Sequence, residues 1–293
     1  GIGVETNADL AVKWWKQSAN LGCMKAQHRL GCCYGKGTGT EKNAELAVKW
    51  FEQSGKQGYV HAQFNLGICY YRGTDVETNA ELAVKWFEQS AKQGYMEAQY
   101  MLGCCYDEGT GVEKNAVLAA KLYEQSAKQG YMHAQFNLGI CYYEGTGVEK
   151  SAIVAAKWWK QSANQGCMKA QFKLGKCYYK GTGVDVDRKQ ALKWWTKSAT
   201  QGHANSQYSL GSVYSNYESE HHLKLALKYI QLAAQQQYPP AIASLIKWRL
   251  NGEMSSVGFA KDLEQAKILK KQAALLPGCK YNNELGEEDL AST

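Results

Sequence analysis

Cysteine is the residue with reactive chemistry that recurs most regularly in this sequence. One cysteine returns at a constant step of 36 residues, at Cys33, Cys69, Cys105, Cys141 and Cys177. Thiols at a fixed spacing could form disulfides, ligate a metal or act as nucleophiles. Equivalent points on stacked helices lie roughly 8 to 10 Å apart, whereas a disulfide needs Cα atoms within about 7 Å. Successive thiols therefore cannot pair, and a linear column cannot converge on one metal ion.

The residues that replace these cysteines indicate what the column does. The sixth unit has Val213 at the same position, so an apolar side chain of similar size can serve there. We predict buried, unreactive thiols that pack as small hydrophobes. Cys32 and Cys104 occur where other units have Ile68 and Ile140, so we predict that they act as apolar substitutes on a partly exposed face.

Three further cysteines, Cys23, Cys167 and Cys279, lie near predicted loops and are the candidates for reactive thiols. So many unpaired thiols favour a reducing compartment such as the cytoplasm. The first residue is Gly1, so export stays open, and no signal peptide or run of 18 apolar residues is present.

No other constellation in the sequence suggests catalysis, and we predict no metal and no cofactor. His28, His61 and His133 fall on a predicted helix without a fixed Cys, Ser or Asp partner, which favours surface histidines. The strings GTGTEK and GTGVEK lack the Gly-Lys-Ser/Thr of a phosphate loop, so we expect hairpin turns. A lysine column is predicted to be solvated helix surface and comprises Lys13, Lys49, Lys85, Lys121, Lys157 and Lys193.

The whole chain, and not only its cysteines, follows the 36-residue period. AVKWW at Ala11 returns as related strings up to ALKWW at Ala191, and LGCCY at Leu30 returns up to LGSVY at Leu210. Only three prolines occur in 293 residues, of which 12% are aromatic. This composition predicts an all-α protein with an aromatic interior.

One unit, residues 58–93, shows how each period folds. Small and apolar residues such as Ala62 and Leu66 share one helical face, which defines a first helix, helix A, that ends at Gly73. Asn79 is placed to cap a second helix, helix B. Gly94 can take the left-handed conformation that closes helix B. Each unit is therefore predicted to be a helical hairpin.

Such a hairpin buries too little apolar surface to be stable alone, so neighbouring hairpins must stack on it. We predict that one tryptophan column forms the shared core, with members at Trp50, Trp86, Trp158 and Trp194. Stacking these columns gives a solenoid.

The full pattern resembles a known repeat. Ala-Gln-aromatic-x-Leu-Gly-x-x-Tyr, then Gly-x-Gly-Val-x-Lys, then Ala-x-Lys-Trp-Trp/Phe-x-x-Ser-Ala-x-Gln-Gly is similar to the Sel1-like repeat, a relative of the tetratricopeptide repeat. The resemblance covers about residues 1 to 236. It implies a right-handed α/α superhelical solenoid of 36-residue helical hairpins that serves as a non-enzymatic scaffold or adaptor.

The period also predicts the repeat boundaries. An incomplete repeat with helix B alone precedes five regular repeats, a degenerate sixth repeat, a diverged capping repeat and an acidic tail. The predicted segments are 1–21, 22–57, 58–93, 94–129, 130–165, 166–201, 202–237, 238–276 and 277–293.

Helix A lines the concave wall in the related repeats, so the resemblance implies a partner-binding groove there. Residues that face away from Ala62 and Leu66 vary between units, whereas the core columns do not. Asn65 and Asn137 carry amides that could hold the backbone of an extended peptide. The predicted groove residues are Lys25, Arg29, His61, Asn65, Ile68, Glu97, Met101, His133, Asn137, Ile140, Lys169 and Lys173.

We therefore predict a scaffold that binds a protein or peptide partner. Nucleic acid is disfavoured because the net charge of +7 is spread along the chain. The alternative is a β-lactam-binding or β-lactamase-like activity, which belongs to a cysteine-rich branch of the family. That branch has two cysteines per repeat, whereas the regular pattern here has one, and the activity requires an activated nucleophile.

Overall fold

The computed structural model describes residues 7–73 and 76–275. These residues form fifteen α-helices and one short 3-10 helix, Ser255–Val257, and no β-strand. The chain divides into two compact units, Gly1–Trp158 and Trp159–Thr293. The helices are α1 (Ala8–Asn20), α2 (Met24–Lys36), α3 (Ala44–Lys56), α4 (Val60–Arg72), α5 (Ala80–Lys92), α6 (Met96–Glu108), α7 (Ala116–Lys128), α8 (Met132–Glu144), α9 (Ala152–Asn164), α10 (Met168–Lys180), α11 (Arg188–Thr200), α12 (Ala204–Tyr214), α13 (Glu220–Gln235), α14 (Pro239–Asn251) and α15 (Leu263–Ala274).

The ends of the helices follow the capping residues of the sequence. The Asn79 side chain accepts a hydrogen bond of 2.9 Å from the backbone N–H of Leu82, which starts α5. Gly73 has a φ of +64° and ends α4 in the left-handed conformation. Gly94, with a φ of +87°, follows the end of α5 in the same conformation. The predicted ends of helices A and B in this unit are confirmed.

Within each of the two units, consecutive helices of the chain pack against each other. In the first unit this holds from α1 to α8, and in the second unit from α10 to α15. The even-numbered helices up to α14 are helix A of their hairpins, and the odd-numbered helices are helix B. The prediction of an all-α solenoid built from 36-residue helical hairpins is confirmed.

The aromatic core, however, lies one residue further along than predicted. Phe87 is fully buried, whereas the preceding Trp86 is only half-buried. Trp86 instead lies at the edge of the cluster that α3 and α4 form. Only Trp194 of the predicted column is buried. The buried column comprises Phe51, Phe87, Tyr123, Trp159 and Trp195.

This second aromatic column is buried because a glycine of helix A makes room for it. A Cβ atom on Gly103 would lie 2.8 Å from the ring of Tyr123, closer than side chains tolerate. Gly31 stands in the same relation to Phe51, at 2.7 Å. The Leu-Gly pair of each repeat thus lets helix A and helix B approach until the ring fills the space between them.

A ladder of buried polar side chains, which hydrophobic patterning does not detect, joins successive hairpins. Ser126 is fully buried and donates a hydrogen bond of 2.7 Å to the carbonyl oxygen of Met96. Gln99 is also buried, and its side-chain oxygen accepts a hydrogen bond of 2.7 Å from Gln129. The same two bonds recur in other repeats with partners 30 residues apart, for example at Ser54. They satisfy buried polar groups and fix how one hairpin sits on the next.

The glycine-rich loops are tight turns, as predicted. Gly111 has a φ of +70°, and a Cβ atom there would lie 2.8 Å from the backbone nitrogen of Glu81 in the first turn of α5. Only glycine fits this approach. The loop after one helix A thus packs on the start of helix B of the preceding repeat.

In the final hairpin the second helix begins at Leu263, because Asp262 caps it by accepting a hydrogen bond of 2.9 Å from the N–H of Gln265. The predicted acidic tail and the last residue of the predicted capping repeat lie outside the described residues. None of the helices described has the length and hydropathy of a membrane span.

Candidate partner-binding surface

The structure places the twelve predicted groove residues on successive copies of helix A, and ten of them lie in the unit Gly1–Trp158. None of the ten is fully buried. Lys169 and Lys173 lie on α10, in the other unit. We call the ten the helix-A face, which consists of Lys25, Arg29, His61, Asn65, Ile68, Glu97, Met101, His133, Asn137 and Ile140.

Aromatic rings organise one half of this face. The residue before each helix A is a tyrosine in three consecutive repeats, at Tyr59, Tyr95 and Tyr131. His61 packs edge-on against Tyr95, with ring centroids 4.9 Å apart, and His133 packs against Tyr131 at 5.3 Å. Such pairs hold both imidazoles in fixed positions. The sequence contains this signal as the string Gly-Tyr before each of the three helices.

Glu97 occupies the same column as the two histidines. Burial, the charge of Glu97 and a hydrogen bond to it together raise the pKa of Tyr95 to about 12. Within the described part of the chain, the Oε2 oxygen of Glu97 is buried and has no hydrogen-bond partner. A buried carboxylate oxygen without a donor is costly. The helix-A face therefore contains a carboxylate oxygen that lacks a hydrogen-bond donor in the described part of the chain.

The apolar members of the face are shared with the core. Ile68 and Met101 are half-buried and pack against the buried cluster of α5 and α6. Ile140 is half-buried as well. These side chains thus expose limited apolar surface to solvent, between the polar groups of the same face.

His28 is not the surface histidine that the sequence predicted. It is half-buried, its ring packs against Tyr59 at 5.1 Å and Phe51 at 5.7 Å, and burial lowers its pKa to about 4. Other repeats place Phe or Tyr in this column, for example Phe64, so the register Ala-Gln-aromatic already indicated an inward position. His61, half-buried between two tyrosines, also differs from the prediction, whereas His133 is exposed as predicted.

The side chains of Cys32, His28 and Asn65 lie close together and form a cluster. The Asn65 amide donates a hydrogen bond of 3.0 Å to Nε2 of His28, and the Cys32 sulfur lies 3.6 Å from the same nitrogen. Burial raises the pKa of the Cys32 thiol and lowers that of His28. Both directions disfavour the thiolate–imidazolium pair that an activated cysteine needs. The cluster therefore holds Asn65 in place and does not supply a nucleophile.

The serines of helix B are equally unsuited to nucleophilic attack. Ser54, Ser90, Ser126 and Ser198 are fully buried, and each hydroxyl donates to a backbone carbonyl oxygen. An acyl-transfer nucleophile must be accessible and must lie beside a base. The alternative β-lactam activity thus gains no support from the part of the chain that the structure describes.

Four of the five periodic cysteines are buried as predicted, namely Cys33, Cys105, Cys141 and Cys177, whereas Cys69 is only half-buried. Cys105 is fully buried, and burial raises its pKa to about 12. Cys141 and Cys177 are buried too, with pKa values raised to about 11. Within residues 7–73 and 76–275, no three Cys, His, Asp or Glu side chains converge as metal ligands.

The predicted reactive cysteines differ from one another. Cys23 is exposed, and hydrogen bonds from the backbone of Ala26 and from Ser18 lower its pKa. Cys167 is buried, which disfavours it as a reactive thiol. It stands where other repeats have the packed Tyr59 or Tyr95. Cys279 lies outside the described residues.

Asn137 is bound to the chain in a different way from Asn65. It forms a side-chain hydrogen bond with Tyr123, and it lines a small cavity with Ile140. The two amides thus belong to different local environments. Their equivalence in the sequence does not extend to their hydrogen bonds.

Comparison with known proteins agrees with this architecture. The family model of the Sel1 repeat matches residues 1–23, 25–59, 60–95, 97–131, 133–167, 169–203 and 204–238. A comparison with curated proteins gave no significant match.

Solved structures similar to the chain include two with at least 30% sequence identity. The first is a protective antigen present in uropathogenic Escherichia coli strains and displaying an SLR fold, with 34% identity and a TM-score of 0.85 over 93% of this chain. This chain spans only 58% of the length of that antigen. The second is a Sel1 repeat protein from Oxalobacter formigenes, with 30% identity and a TM-score of 0.63, covering 76% of this chain and 97% of that one.

Proposed function

Because the chain belongs to the Sel1 repeat family, we propose that it is a non-enzymatic scaffold that binds a protein or peptide partner along its helix-A face. Proteins of this family are generally helical scaffolds for protein interaction, which supports the coarser part of the proposal. The place of binding is supported by the surface chemistry of the unit Gly1–Trp158.

The observation that carries the proposal is the Glu97 carboxylate. Its Oε2 atom is buried without a hydrogen-bond donor, and Tyr95 and Tyr131 lie beside it. Helix surfaces that only face solvent leave their carboxylates hydrated. Rotation of the half-buried Glu97 side chain would bring this oxygen to a peptide N–H or a donor side chain of the partner, and the adjacent rings would stack on the peptide.

Selection from a peptide library displayed on phage would test the proposal. We expect selected peptides to lose at least roughly tenfold in affinity on the double variant His61→Ala/His133→Ala, because two aromatic contacts are removed. The matched control is Lys85→Ala/Lys121→Ala, which changes two exposed helix-B positions. Affinity should be unchanged in this control.

Circular dichroism would establish that both double variants keep the helix content of the parent chain. Peptides that bind the histidine variant as tightly as the parent chain, but bind the lysine variant more weakly, would place recognition on helix B. That result would contradict the proposal.

A further inference from the structure

The column one residue before the last residue of helix A contains an irregularity. In the five regular repeats it reads Gly35, Tyr71, Asp107, Tyr143 and Tyr179, so at Asp107 an aspartate stands between two tyrosine repeats. In the tyrosine repeats the ring approaches the buried aromatic of its own hairpin. The centroids of Tyr179 and Trp195 are 5.2 Å apart. The shorter Asp107 cannot fill this place.

A cavity of about 100 Å³ lies where that ring is missing. Its walls come from the end of α6, from α7, from α8 and from the loop that follows α8. The lining residues are Asp107, Tyr123, Asn137, Ile140, Cys141, Glu144 and Thr146. This volume holds roughly three water molecules and is well below the 300 Å³ or more of typical small-molecule sites. The cavity is therefore large enough to enclose the end of one side chain.

The charges around the cavity are unbalanced. In the preceding repeat, the Tyr71 hydroxyl donates a hydrogen bond of 3.4 Å to the Glu108 carboxylate of the next helix A. The equivalent pair here is Asp107 and Glu144, so two carboxylates stand where a donor and an acceptor stand elsewhere. No cation lies within 4.0 Å of either carboxylate in the described part of the chain.

The helix ends add to this negative potential. The helices α2, α4 and α10 end with a basic residue, namely Lys36, Arg72 and Lys180. By contrast, α6 and α8 end with Glu108 and Glu144. A carboxylate at a helix C-terminus is unfavourable because the helix dipole is negative there. The nearest basic residues in the chain, Lys114 and Lys150, lie in the loops that follow these two helices.

The negative charges around the cavity affect the pKa of its one thiol, that of Cys141. Burial, together with the charges of Asp107 and Glu144, raises the pKa of Cys141 to about 11. Asp107 also accepts a hydrogen bond of 3.5 Å from the Tyr123 hydroxyl, which leaves its remaining acceptor capacity toward the cavity.

We propose that this cavity, the Asp107 socket, receives the arginine side chain of a partner segment bound on the helix-A face. A guanidinium group fits because its five donors can serve the two carboxylates and the Asn137 oxygen together. Asn137 and Ile140 belong to both the socket and the helix-A face. The inference thus rests on the proposed function and specifies the chemistry of the partner.

Nuclear magnetic resonance titration with acetyl-arginine methylamide tests the socket. The probe should shift the Asn137 side-chain amide and the backbone amides of Cys141 and Thr146, and its citrulline analogue, which is neutral, should not. Asp107→Asn should weaken binding by roughly tenfold or more, because a charge-assisted hydrogen bond is lost.

Asp107→Tyr places in the socket the residue that other repeats have, so it should fold normally and abolish binding. The control variant Glu45→Gln makes the same change of charge as Asp107→Asn, at an exposed position in the first turn of α3, and should bind like the parent chain.

Equal shifts with citrulline, or undiminished arginine binding in Asp107→Tyr, would overturn the proposal. This outcome is separate from the peptide selection, since the helix-A face can bind a partner that lacks arginine. Selected peptides that bind through His61 and His133 while the arginine probe fails would retain the proposed function and refute only the socket.

Discussion

Replacing Gly103 with alanine adds a single methyl group and would test how tightly one hairpin is packed. Replacing a helical glycine with alanine ordinarily stabilises a helix by up to about 1 kcal/mol. At Gly103 the new Cβ atom would lie 2.8 Å from the ring of Tyr123, which is 1% exposed. An ordinary contact needs 3.4 Å or more, so this ring and its helix must move by several tenths of an ångström. Overpacking of this kind costs about 1 to 3 kcal/mol.

The steric cost exceeds the gain in helix propensity at this site. We expect Gly103→Ala to lower the free energy of unfolding by about 1 to 2 kcal/mol. Gly35 is the matched control, because a Cβ atom there meets only the Ala47 side chain, at 3.8 Å. Gly35→Ala should therefore raise the stability, by at most about 1 kcal/mol.

Urea denaturation followed by circular dichroism would measure both variants against the parent chain. The midpoints should move in opposite directions. If Gly103→Ala moves its midpoint upward by as much as Gly35→Ala, the close approach of helix A to the aromatic column is not a feature of the folded chain.

Three further predictions concern the core, the thiols and one histidine. Phe87→Ala should lower the free energy of unfolding by about 3 to 5 kcal/mol and Trp86→Ala by about 2 kcal/mol or less, because Phe87 is fully buried and Trp86 is not. If denaturation shows the larger loss for Trp86→Ala, the predicted tryptophan core is correct after all. In a reaction with Ellman's reagent at pH 8, Cys23→Ser should remove one thiol from the fast phase, whereas Cys105→Ser should not. The reason is that the pKa of Cys23 is lowered and that of Cys105 is about 12. Fast reaction of Cys105 would contradict its burial. The pKa of His28 is 6.5 in the unfolded chain and about 4 in the folded chain. The neutral His28 side chain therefore makes its full contribution to stability above pH 6.5, and this contribution is lost as the pH falls toward 4. His28→Phe should reduce this loss, and equal pH dependence in both proteins, measured by denaturation, would argue against the buried imidazole.

The repeat period and the helix ends were predictable from the sequence because single residues determine them. Asn79 can cap and Gly73 can adopt a positive φ whatever surrounds them, so local chemistry decides both. The division of each period into helix A and helix B follows directly. These features needed no knowledge of tertiary contacts.

The identity of the buried aromatic column could not be decided in this way. Trp86 and Phe87 are adjacent on one helix, both apolar and both near its inner face. Which of them is enclosed depends on where Gly67 lies on the facing helix, and this is a tertiary relation. Hydrophobic patterning prefers the larger tryptophan, whereas the structure buries the ring that faces the glycine.

The candidate site was predicted in outline but not in its contacts. The variable columns of helix A identified the face, yet the hydrogen bonds of Asn65 and Asn137 depend on His28 and Tyr123, which lie on other helices. The Asp107 socket was readable from the sequence as an aspartate between the tyrosines of two neighbouring repeats, Tyr71 and Tyr143. Only the structure shows that Asp107 and Glu144 line the same cavity.

The location of the bound partner tests the central claim most directly. Amide hydrogen exchange of the chain, with and without a selected peptide, would report which helices the peptide protects. We predict slower exchange in α4, α6 and α8, around Tyr95, Glu97 and His133. Protection confined to helix B around Lys85 and Lys121, with α4, α6 and α8 unchanged, would contradict the account.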